Sequence, residues 1–194
     1  MRCQLITPYY RSGHEQRDAE LEQCERLNRE AFGRSAVVYV GGDRPTFQYL
    51  FDLCDPDCVN VIANSDIYFA KPDLLSIATY YHHESTHGTC MALSRWDITD
   101  RGPELWDHKD SQDVWVFYGR PVILGAGFHL GIPGCDNRIA KVIEEAGYTV
   151  INPSKTIRSY HLHASGFRTY GTGRGGVKTQ NIPGPYKFIQ PHAL

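Results

Sequence analysis

Acidic and histidine side chains at two distant places in the sequence could together hold a divalent cation. Asp66 ends a short polar segment that directly follows the apolar run Val59–Ala63. His161 and His163 are two residues apart, so an extended backbone would present both imidazoles on one side. Carboxylates and imidazoles are ligands of Mn²⁺-like ions, and carboxylates also bind Mg²⁺. The pattern predicts a site for Mn²⁺ or Mg²⁺ made by Asp66, His161 and His163. The structural alternatives are an Asp66 that caps a turn and histidines that pack in the core.

Two further acids could accept a proton from an attacking hydroxyl. Asp136 lies at the predicted start of a helix, where the helix dipole and backbone N–H groups would keep its carboxylate ionised. Its alternative role is that of a helix N-cap. Asp113 precedes a predicted strand and lies near Trp106 and Trp115 in the sequence. Acids beside indoles are typical of sugar sites, although a solvated loop would look the same. Asp136 is the first candidate base, and Asp113 is the second.

Several polar residues follow the first two predicted strands, where a nucleotide could bind. Thr7 and Tyr9 come after the first strand, and Asp43 and Arg44 come after the second. In a doubly wound sheet, ligands bind beyond the carboxyl ends of the strands. Asp43 could contact a base or ribose and Arg44 a phosphate, while Ser65 and Asp66 would lie at the diphosphate. Asp43 could instead cap the helix that Pro45 opens.

The elements that must position these residues alternate along the first 80 positions. Apolar runs typical of buried strands are followed by segments with helical spacing, such as Leu21, Cys24 and Ala31. This alternation predicts an α/β fold with a mainly parallel central sheet flanked by helices. Residues 1–170 are predicted to form one domain. Residues 171–194, rich in Gly and Pro, are predicted to form a flexible tail.

Composition narrows the class of partner. The chain has 194 residues, 41% of them hydrophobic and 22% charged, with a formal net charge of −2. This balance gives no general positive field for nucleic acid, although four basic residues occur late in the chain: Arg158, Arg168, Arg174 and Lys178. No apolar stretch approaches the roughly 20 residues of a membrane span, and no signal peptide is evident. The sequence therefore predicts a cytoplasmic protein without a membrane span.

Three motifs in this order resemble the GT-A glycosyltransferase fold. Asn64-Ser65-Asp66 looks like the Asp-x-Asp metal-binding region of that fold, with Asn64 in place of the first aspartate. Gly134-Cys135-Asp136-Asn137 is similar to the Gly-Glu-Asp-Asp stretch that carries the catalytic base in inverting members, with Cys135 in place of the glutamate. His161 or His163 looks like the late histidine that completes metal coordination. The chain also resembles a group of small, uncharacterised glycosyltransferase-like proteins.

The resemblance implies a metal-dependent glycosyltransferase of the hexosyl- or pentosyltransferase class. The donor would be a nucleoside diphosphate sugar, and the acceptor a hydroxyl of a glycan, a protein, a metabolite or a modified DNA base. Two alternatives stay open. A non-catalytic nucleotide-sugar-binding module is favoured by Asn64, which leaves one carboxylate in the motif. A nucleotidyltransferase would need a Gly-rich basic loop after the first strand, and Thr7–Arg11 offers none.

Overall fold

In the computed structural model, which describes residues 1–42, 44–167 and 182–194, ten strands form two sheets and four helices pack around them. The strands are β1 Cys3–Pro8, β2 Val37–Val40, β3 Val59–Ala63, β4 Ile67–Tyr68, β5 Thr89–Leu93, β6 Trp96–Thr99, β7 Gly102–Leu105, β8 Val114–Tyr118, β9 Thr149–Ile151 and β10 Tyr160–His161. The helices are α1 Glu15–Phe32, α2 Phe47–Asp52, α3 Lys71–Tyr80 and α4 Cys135–Glu145.

The larger sheet has six strands in the order β2-β1-β3-β8-β5-β9. The pairs β1–β2, β1–β3 and β5–β9 are parallel, whereas β8 runs antiparallel to both of its neighbours. The predicted α/β class is confirmed, and the sheet is mixed. Because β8 is reversed, its first residues lie at the same sheet edge as the last residues of β1, β2 and β3. Asp113, which precedes β8, is thereby delivered to the edge where the ligands of α/β sheets bind.

A hydrophobic core lies on each face of the large sheet. On one face, α2 and α4 pack through Phe47, Leu50 and Ile139, among others, against inward-facing strand residues. On the other face, α3 contributes Leu74 and Ile77, and the end of α1 packs beside them. β3 is buried along its whole length, as expected for a central strand that is covered on both faces. The helices that follow β1 and β2 therefore lie on opposite faces, which opens a crevice beyond the ends of these strands.

The N-terminus of α1 differs from the sequence prediction. The sequence Ser12-Gly13-His14-Glu15 predicts a capping box between Ser12 and Glu15, but His14 is the N-cap and its Nδ1 accepts from the Arg17 N–H at 3.4 Å. The Ser12 hydroxyl and backbone N–H instead donate to Asp18, at 2.7 and 2.6 Å. Asp18 competes successfully for Ser12 because a carboxylate accepts a stronger hydrogen bond than a neutral group does.

The start of α4 is shaped by glycine. Gly131 and Gly134 have φ of 71° and 80°, a region that side chains with a Cβ rarely adopt. Gly134 is the N-cap, so the alternative role of Asp136 as a helix N-cap is not observed. Asp136 lies in the first turn instead, where its carboxylate is available for other contacts.

The second sheet is small and lies beside the large one, in the order β4-β10-β6-β7. Its central strand β10 is antiparallel to β4, with His161 opposite Ile67, and parallel to β6, with His161 opposite Asp97. The sequence from Ile157 to His163 predicts one longer strand, of which Tyr160–His161 is observed, and it gives no sign of β4 or of the β6–β7 hairpin. These strands are two to four residues long, too short to show a period in the sequence.

Residues 182–194, the last part of the predicted tail, pack against the domain. Ile182, Lys187 and Ile189 donate backbone hydrogen bonds to Pro133, Asn137 and Lys109, at 2.9 Å each, and the Ile189 side chain is buried in the core. Residues 168–181, which include Arg168, Arg174 and Lys178 of the late basic group, lie outside the described residues. Within the described part of the chain, no helix has the length and apolar character needed to cross a bilayer.

Candidate functional site

A cavity of about 620 Å³ opens at the edge of the large sheet where β1, β2 and β3 end and β8 begins. Its volume is in the range of small-molecule and cofactor sites, roughly 300–1,000 Å³. Three groups of side chains line it. The first group is Tyr9, Tyr10 and Arg44, the second is the cluster around Asp66, and the third is Asp110, Asp113 and Asp136.

Asp66, His161 and His163 come together as the sequence predicted. His161 Nε2 lies 3.2 Å and His163 Nδ1 lies 3.4 Å from Asp66 Oδ2. Among the described residues these three are the group whose ligand atoms, all within 4.8 Å of one another, could hold a metal ion. Asp66 comes from the turn after β3, and the histidines come from β10 and the residues after it. The chemistry of this donor set fits a divalent transition ion, since it offers two imidazole nitrogens and one carboxylate.

A buried arginine that the sequence analysis did not single out holds the Asp66 carboxylate. Arg17, in the first turn of α1, donates from Nη2 to Asp66 Oδ2 at 2.6 Å, and its side chain is 3% exposed. Arg17 also donates to Glu20 and to the Leu162 carbonyl, both at 3.1 Å. Burial alone would raise the pKa of Asp66, but His161, His163 and Arg17 outweigh it and hold the pKa well below its ordinary value. Asp66 is therefore ionised in the folded protein.

His161 lies between two carboxylates. Its Nδ1 is 2.6 Å from Asp97 Oδ1, while its Nε2 faces Asp66. Burial favours the neutral ring, but the negative charge of Asp66 and hydrogen bonds to Asp66 and Asp97 raise the pKa of His161 to about 9. A cation that binds at Nε2 therefore replaces a proton. The second imidazole is less constrained, because His163 Nε2 is buried without a hydrogen-bond partner among the described residues.

Asn64, the residue in place of the first motif aspartate, does not point to the candidate cation. Its Nδ2 donates to Asp113 Oδ1 at 2.8 Å, and Arg95 Nη1 donates to the other Asp113 oxygen at 3.1 Å. An amide suits this position because it can donate to the buried Asp113, which an ionised carboxylate cannot do. The contact that the structure gives to the Asn64 amide is therefore with Asp113, and Asp66 is the one carboxylate of Asn64-Ser65-Asp66.

Asn64→Asp is therefore expected to destabilise the fold and not to strengthen cation binding. It would replace a donor with a like charge about 3 Å from Asp113 and leave a buried acceptor unpaired, at a cost of about 1–3 kcal/mol. Urea unfolding would measure the loss. Exchanging the two residue types, Asn64→Asp with Asp113→Asn, should recover part of it. Equal stability of Asn64→Asp and the wild type would contradict this account of Asn64.

Asp136 and Asp113 differ in their partners although both line the cavity. Asp113 is paired with Arg95. Asp136 has no cation within ion-pair distance among the described residues, and its Oδ1 accepts a weak hydrogen bond from Cys135 Sγ at 3.1 Å. Burial and the nearby negative charge of Asp113 raise the pKa of Asp136 to about 8. A carboxylate with a pKa near the working pH and without a fixed cation is well suited to accept a proton.

The predicted nucleoside residues are only partly brought together. Tyr9, Arg44 and Ser65 line the cavity. Arg44 donates to the Leu130 carbonyl at 3.1 Å, which ties the end of β2 to the loop before α4. Thr7 does not line the cavity. Its side chain is buried, and its hydroxyl is 3.5 Å from the Pro8 carbonyl. Asp43 lies outside the described residues.

The two tryptophans near Asp113 have different environments. Trp106 is half-exposed, lines the cavity, and contacts His108 and the Arg95 guanidinium. Trp115 is fully buried and packs edge-to-face on Phe47 with ring centroids 4.9 Å apart. Alternation along β8 turns the Trp115 side chain into the core, so only Trp106 could meet a ligand in the cavity.

Sequence reasoning missed Arg17, Arg95 and Asp97. One of them left a readable signal: Arg17 lies on the same helical face as Leu21 and Cys24, so a charge on an apolar stripe indicated a buried partner. Asp97 and Arg95 gave none, because they belong to the short hairpin that the sequence did not predict.

Comparison with known proteins adds no relative to this picture. The chain matches no protein-family model, and no curated protein matches its sequence. The function is therefore argued from the cavity and its side chains.

Proposed function

We propose that this protein is a metal-dependent glycosyltransferase of the GT-A type. It would transfer a sugar from a nucleoside diphosphate sugar to a hydroxyl acceptor. The observation that carries the proposal is that one cavity contains both the Asp66–His161–His163 cluster and Asp136, an acid with a raised pKa and no cationic partner among the described residues. A cation site and a proton acceptor are the two functions that displacement of a diphosphate by a hydroxyl needs.

The nucleoside of the donor fits the end of the cavity formed by β1 and β2. The chain leaves these neighbouring parallel strands toward opposite faces of the sheet, and nucleotides bind at such crevices. Tyr9 and Tyr10 offer aromatic surface there, and Arg44 offers a guanidinium. With the nucleoside at this end, the diphosphate would lie near Ser65 and Asp66, which follow β3.

The diphosphate would lie at Asp66, His161 and His163, which would hold the cation. At these ligands, a divalent cation would supply positive charge to offset the negative charge of the departing phosphate. Two imidazoles and one carboxylate favour Mn²⁺ over Mg²⁺, because Mg²⁺ prefers oxygen ligands and gives up its water reluctantly. Arg17 shares the Asp66 carboxylate and keeps it oriented.

Asp136 is the proposed base, and it is preferred to Asp113. Asp113 is held between Arg95 and Asn64, so both of its oxygens already accept hydrogen bonds from protein groups. Asp136 would take the proton of the acceptor hydroxyl as its oxygen attacks the anomeric carbon from the face opposite the diphosphate. This single displacement inverts the anomeric centre.

A non-catalytic nucleotide-sugar-binding protein is the second candidate. It is favoured by the short Arg17–Asp66 ion pair, because Arg17 competes with a cation for the motif's one carboxylate. Such a protein would bind the donor without turnover.

The proposal is tested by thermal shift with a panel of nucleoside diphosphates and their sugars, with and without Mn²⁺. A ligand at 100 times its dissociation constant stabilises the native state by about 2.7 kcal/mol, which raises the melting temperature measurably. Donors that stabilise the protein are then assayed for release of the nucleoside diphosphate. Stabilisation that needs Mn²⁺, followed by release, supports a transferase. Stabilisation without turnover supports the binding protein, and no stabilisation by any ligand contradicts both.

His163→Ala is the cleanest variant for the cation. Its Nε2 has no partner among the described residues, so truncation leaves fewer unsatisfied groups than removal of His161 would. We expect Mn²⁺ affinity, measured by calorimetry, to fall at least tenfold while the melting temperature changes by no more than about 4 °C, which corresponds to about 1 kcal/mol. The matched control is His82→Ala, which removes an exposed histidine that lies outside the candidate cation cluster. Unchanged Mn²⁺ binding in His163→Ala would remove His163 from the ligand set.

A further inference from the structure

A continuous set of polar contacts links the cation cluster to the acidic wall of the cavity. It runs from His161 to Asp97, from Asp97 to Arg95, and from Arg95 to Asp113. Every step is 3.1 Å or shorter. Neither Arg95 nor Asp97 belongs to the group of possible metal ligands, so their effect on a cation would pass through His161.

The strand register explains how Asp97 reaches the histidine. His161 of β10 is paired with Asp97 of β6 in the parallel register and with Ile67 of β4 in the antiparallel one. Residues opposite one another on neighbouring strands present their side chains on the same side of the sheet. The register with β6 therefore brings Asp97 to one side of the imidazole. Asp66 reaches the other side from the turn before β4, where its Oδ2 is 3.2 Å from Nε2.

The two ring nitrogens of His161 consequently have different partners. Nδ1 donates to Asp97 Oδ1 at 2.6 Å, whereas Nε2 is 3.2 Å from Asp66 Oδ2. A metal-bound histidine commonly donates its other N–H to a carboxylate, which fixes the tautomer and the ring orientation. Asp97 has the position and the chemistry for this role.

Arg95 in turn holds Asp97. Its Nε donates to Asp97 Oδ1 at 2.9 Å, and its Nη1 donates to Asp113 Oδ2 and Ser111 Oγ at 3.1 and 3.2 Å. The guanidinium also lies over the Trp106 ring, 5.0 Å from its centroid. A planar fork can contact both carboxylates at once, which a lysine ammonium cannot do with the same geometry.

We propose that Asp97 and Arg95 are positioning residues for the cation site, with Asp97 orienting His161 so that Nε2 is presented to the metal, and Arg95 fixing Asp97 relative to Asp113. The inference rests on the proposed function, because it concerns the same cation. It adds that the hairpin β6–β7, which supplies no ligand, sets the affinity for the metal.

The experiment measures Mn²⁺ alone, by calorimetry and by the loss of the free-ion electron paramagnetic resonance signal. Asp97→Ala is expected to weaken Mn²⁺ binding about 10- to 100-fold. Asp97→Asn keeps an acceptor oxygen for Nδ1 and should weaken it less. Arg95→Lys should lie between Asp97→Asn and the wild type. The matched control is Glu104→Gln. Glu104 lies opposite Asp97 in the β6–β7 strand register, and its replacement should change the affinity less than about twofold.

The outcomes separate this inference from the proposed function. If the wild type binds Mn²⁺ and Asp97→Ala and Asp97→Asn bind it equally well, the positioning role is wrong and the cation site stands. If the wild type does not bind Mn²⁺, the proposed cation step and this inference are both wrong. Graded weakening from Asp97→Asn to Asp97→Ala, with Glu104→Gln unchanged, supports the inference. If Asp97→Ala does not fold, the comparison of Asp97→Asn with Glu104→Gln decides the question.

Discussion

Asp136→Asn is expected to abolish most of the transfer activity while raising the melting temperature. Loss of a general base lowers the rate by about 10²–10⁴-fold. The carboxyl of Asp136 is partly buried near the negative charge of Asp113, which raises its pKa to about 8, so the folded state disfavours its ionised form. An amide removes that cost. The melting temperature should rise by at least about 2–4 °C, the shift that 1 kcal/mol gives in a domain of this size.

The pH dependence of the same variant checks the assignment. A folded-state pKa above the unfolded value, which is about 3.9, means that stability is lost as pH rises from about 4 through about 8. The stability advantage of Asp136→Asn should therefore grow over that range. Transfer by the wild type should rise about tenfold per pH unit below about 8 and level off above it, because only the ionised base accepts a proton.

Glu145→Gln, at the far end of α4, is the control for these measurements. It also exchanges a carboxylate for an amide, but its side chain is exposed and contacts Lys141. It should leave the rate and the pH profile unchanged. Full transfer activity in Asp136→Asn would show that the base is elsewhere, and product with retained anomeric configuration would also exclude Asp136 from this role.

Asp66→Asn is expected to have the largest effect on both cation binding and stability. The variant loses the one carboxylate of the cluster and leaves Arg17, 3% exposed, without its short ion pair. Arg17 keeps Glu20 as a partner, so the cost should lie near the lower end of the about 3–5 kcal/mol for breaking a buried pair, which lowers the melting temperature by about 10 °C in a domain of this size. Mn²⁺ binding by calorimetry should fall below detection.

A second substitution separates the two effects. Arg17→Met with Asp66→Asn removes both charges of the pair, and Glu20 keeps the hydrogen bonds it accepts from Ser165. The double variant should regain much of the lost stability, since the two sites are in direct contact and their effects are not additive. It should not regain Mn²⁺ binding. Wild-type affinity in Asp66→Asn would mean that the cation, if bound, has other ligands.

The strands of the large sheet could be predicted because each is long and apolar enough to be recognised by itself, whereas the predicted mainly parallel arrangement is not confirmed and the sheet is mixed. The apolar run Val59–Ala63 has the bounds of β3, and the helical spacing of Leu21, Cys24 and Ala31 correctly predicts a helix at α1. The meeting of Asp66 with His161 and His163 could be anticipated as well. The position of Asp66 at a strand end and the two-residue spacing of His161 and His163 are local features, and both can be recognised in the sequence.

The remaining parts of the site depend on pairings that no local pattern encodes. Reversal of β8 brings Asp113 to the site, and the sequence of a buried strand does not reveal its direction. Asp97 reaches His161 only through the register of two short strands. The sequence indicates Asn64 as a weaker replacement for a metal-binding aspartate, whereas in the structure its amide donates to Asp113. In each case the deciding partner is distant along the chain, so residue types alone left the role open.

The position of β10 has a consequence for when a cation could act. Asp66 and His161 are 95 residues apart, and they meet only after the chain has returned to insert β10 between β4 and β6. Because the ligands come together only when this long loop closes, we expect the apo chain to cross the folding barrier before a cation binds. A bound ion would then stabilise the folded protein mainly by slowing the detachment of β10. It would lower the unfolding rate and leave the folding rate unchanged.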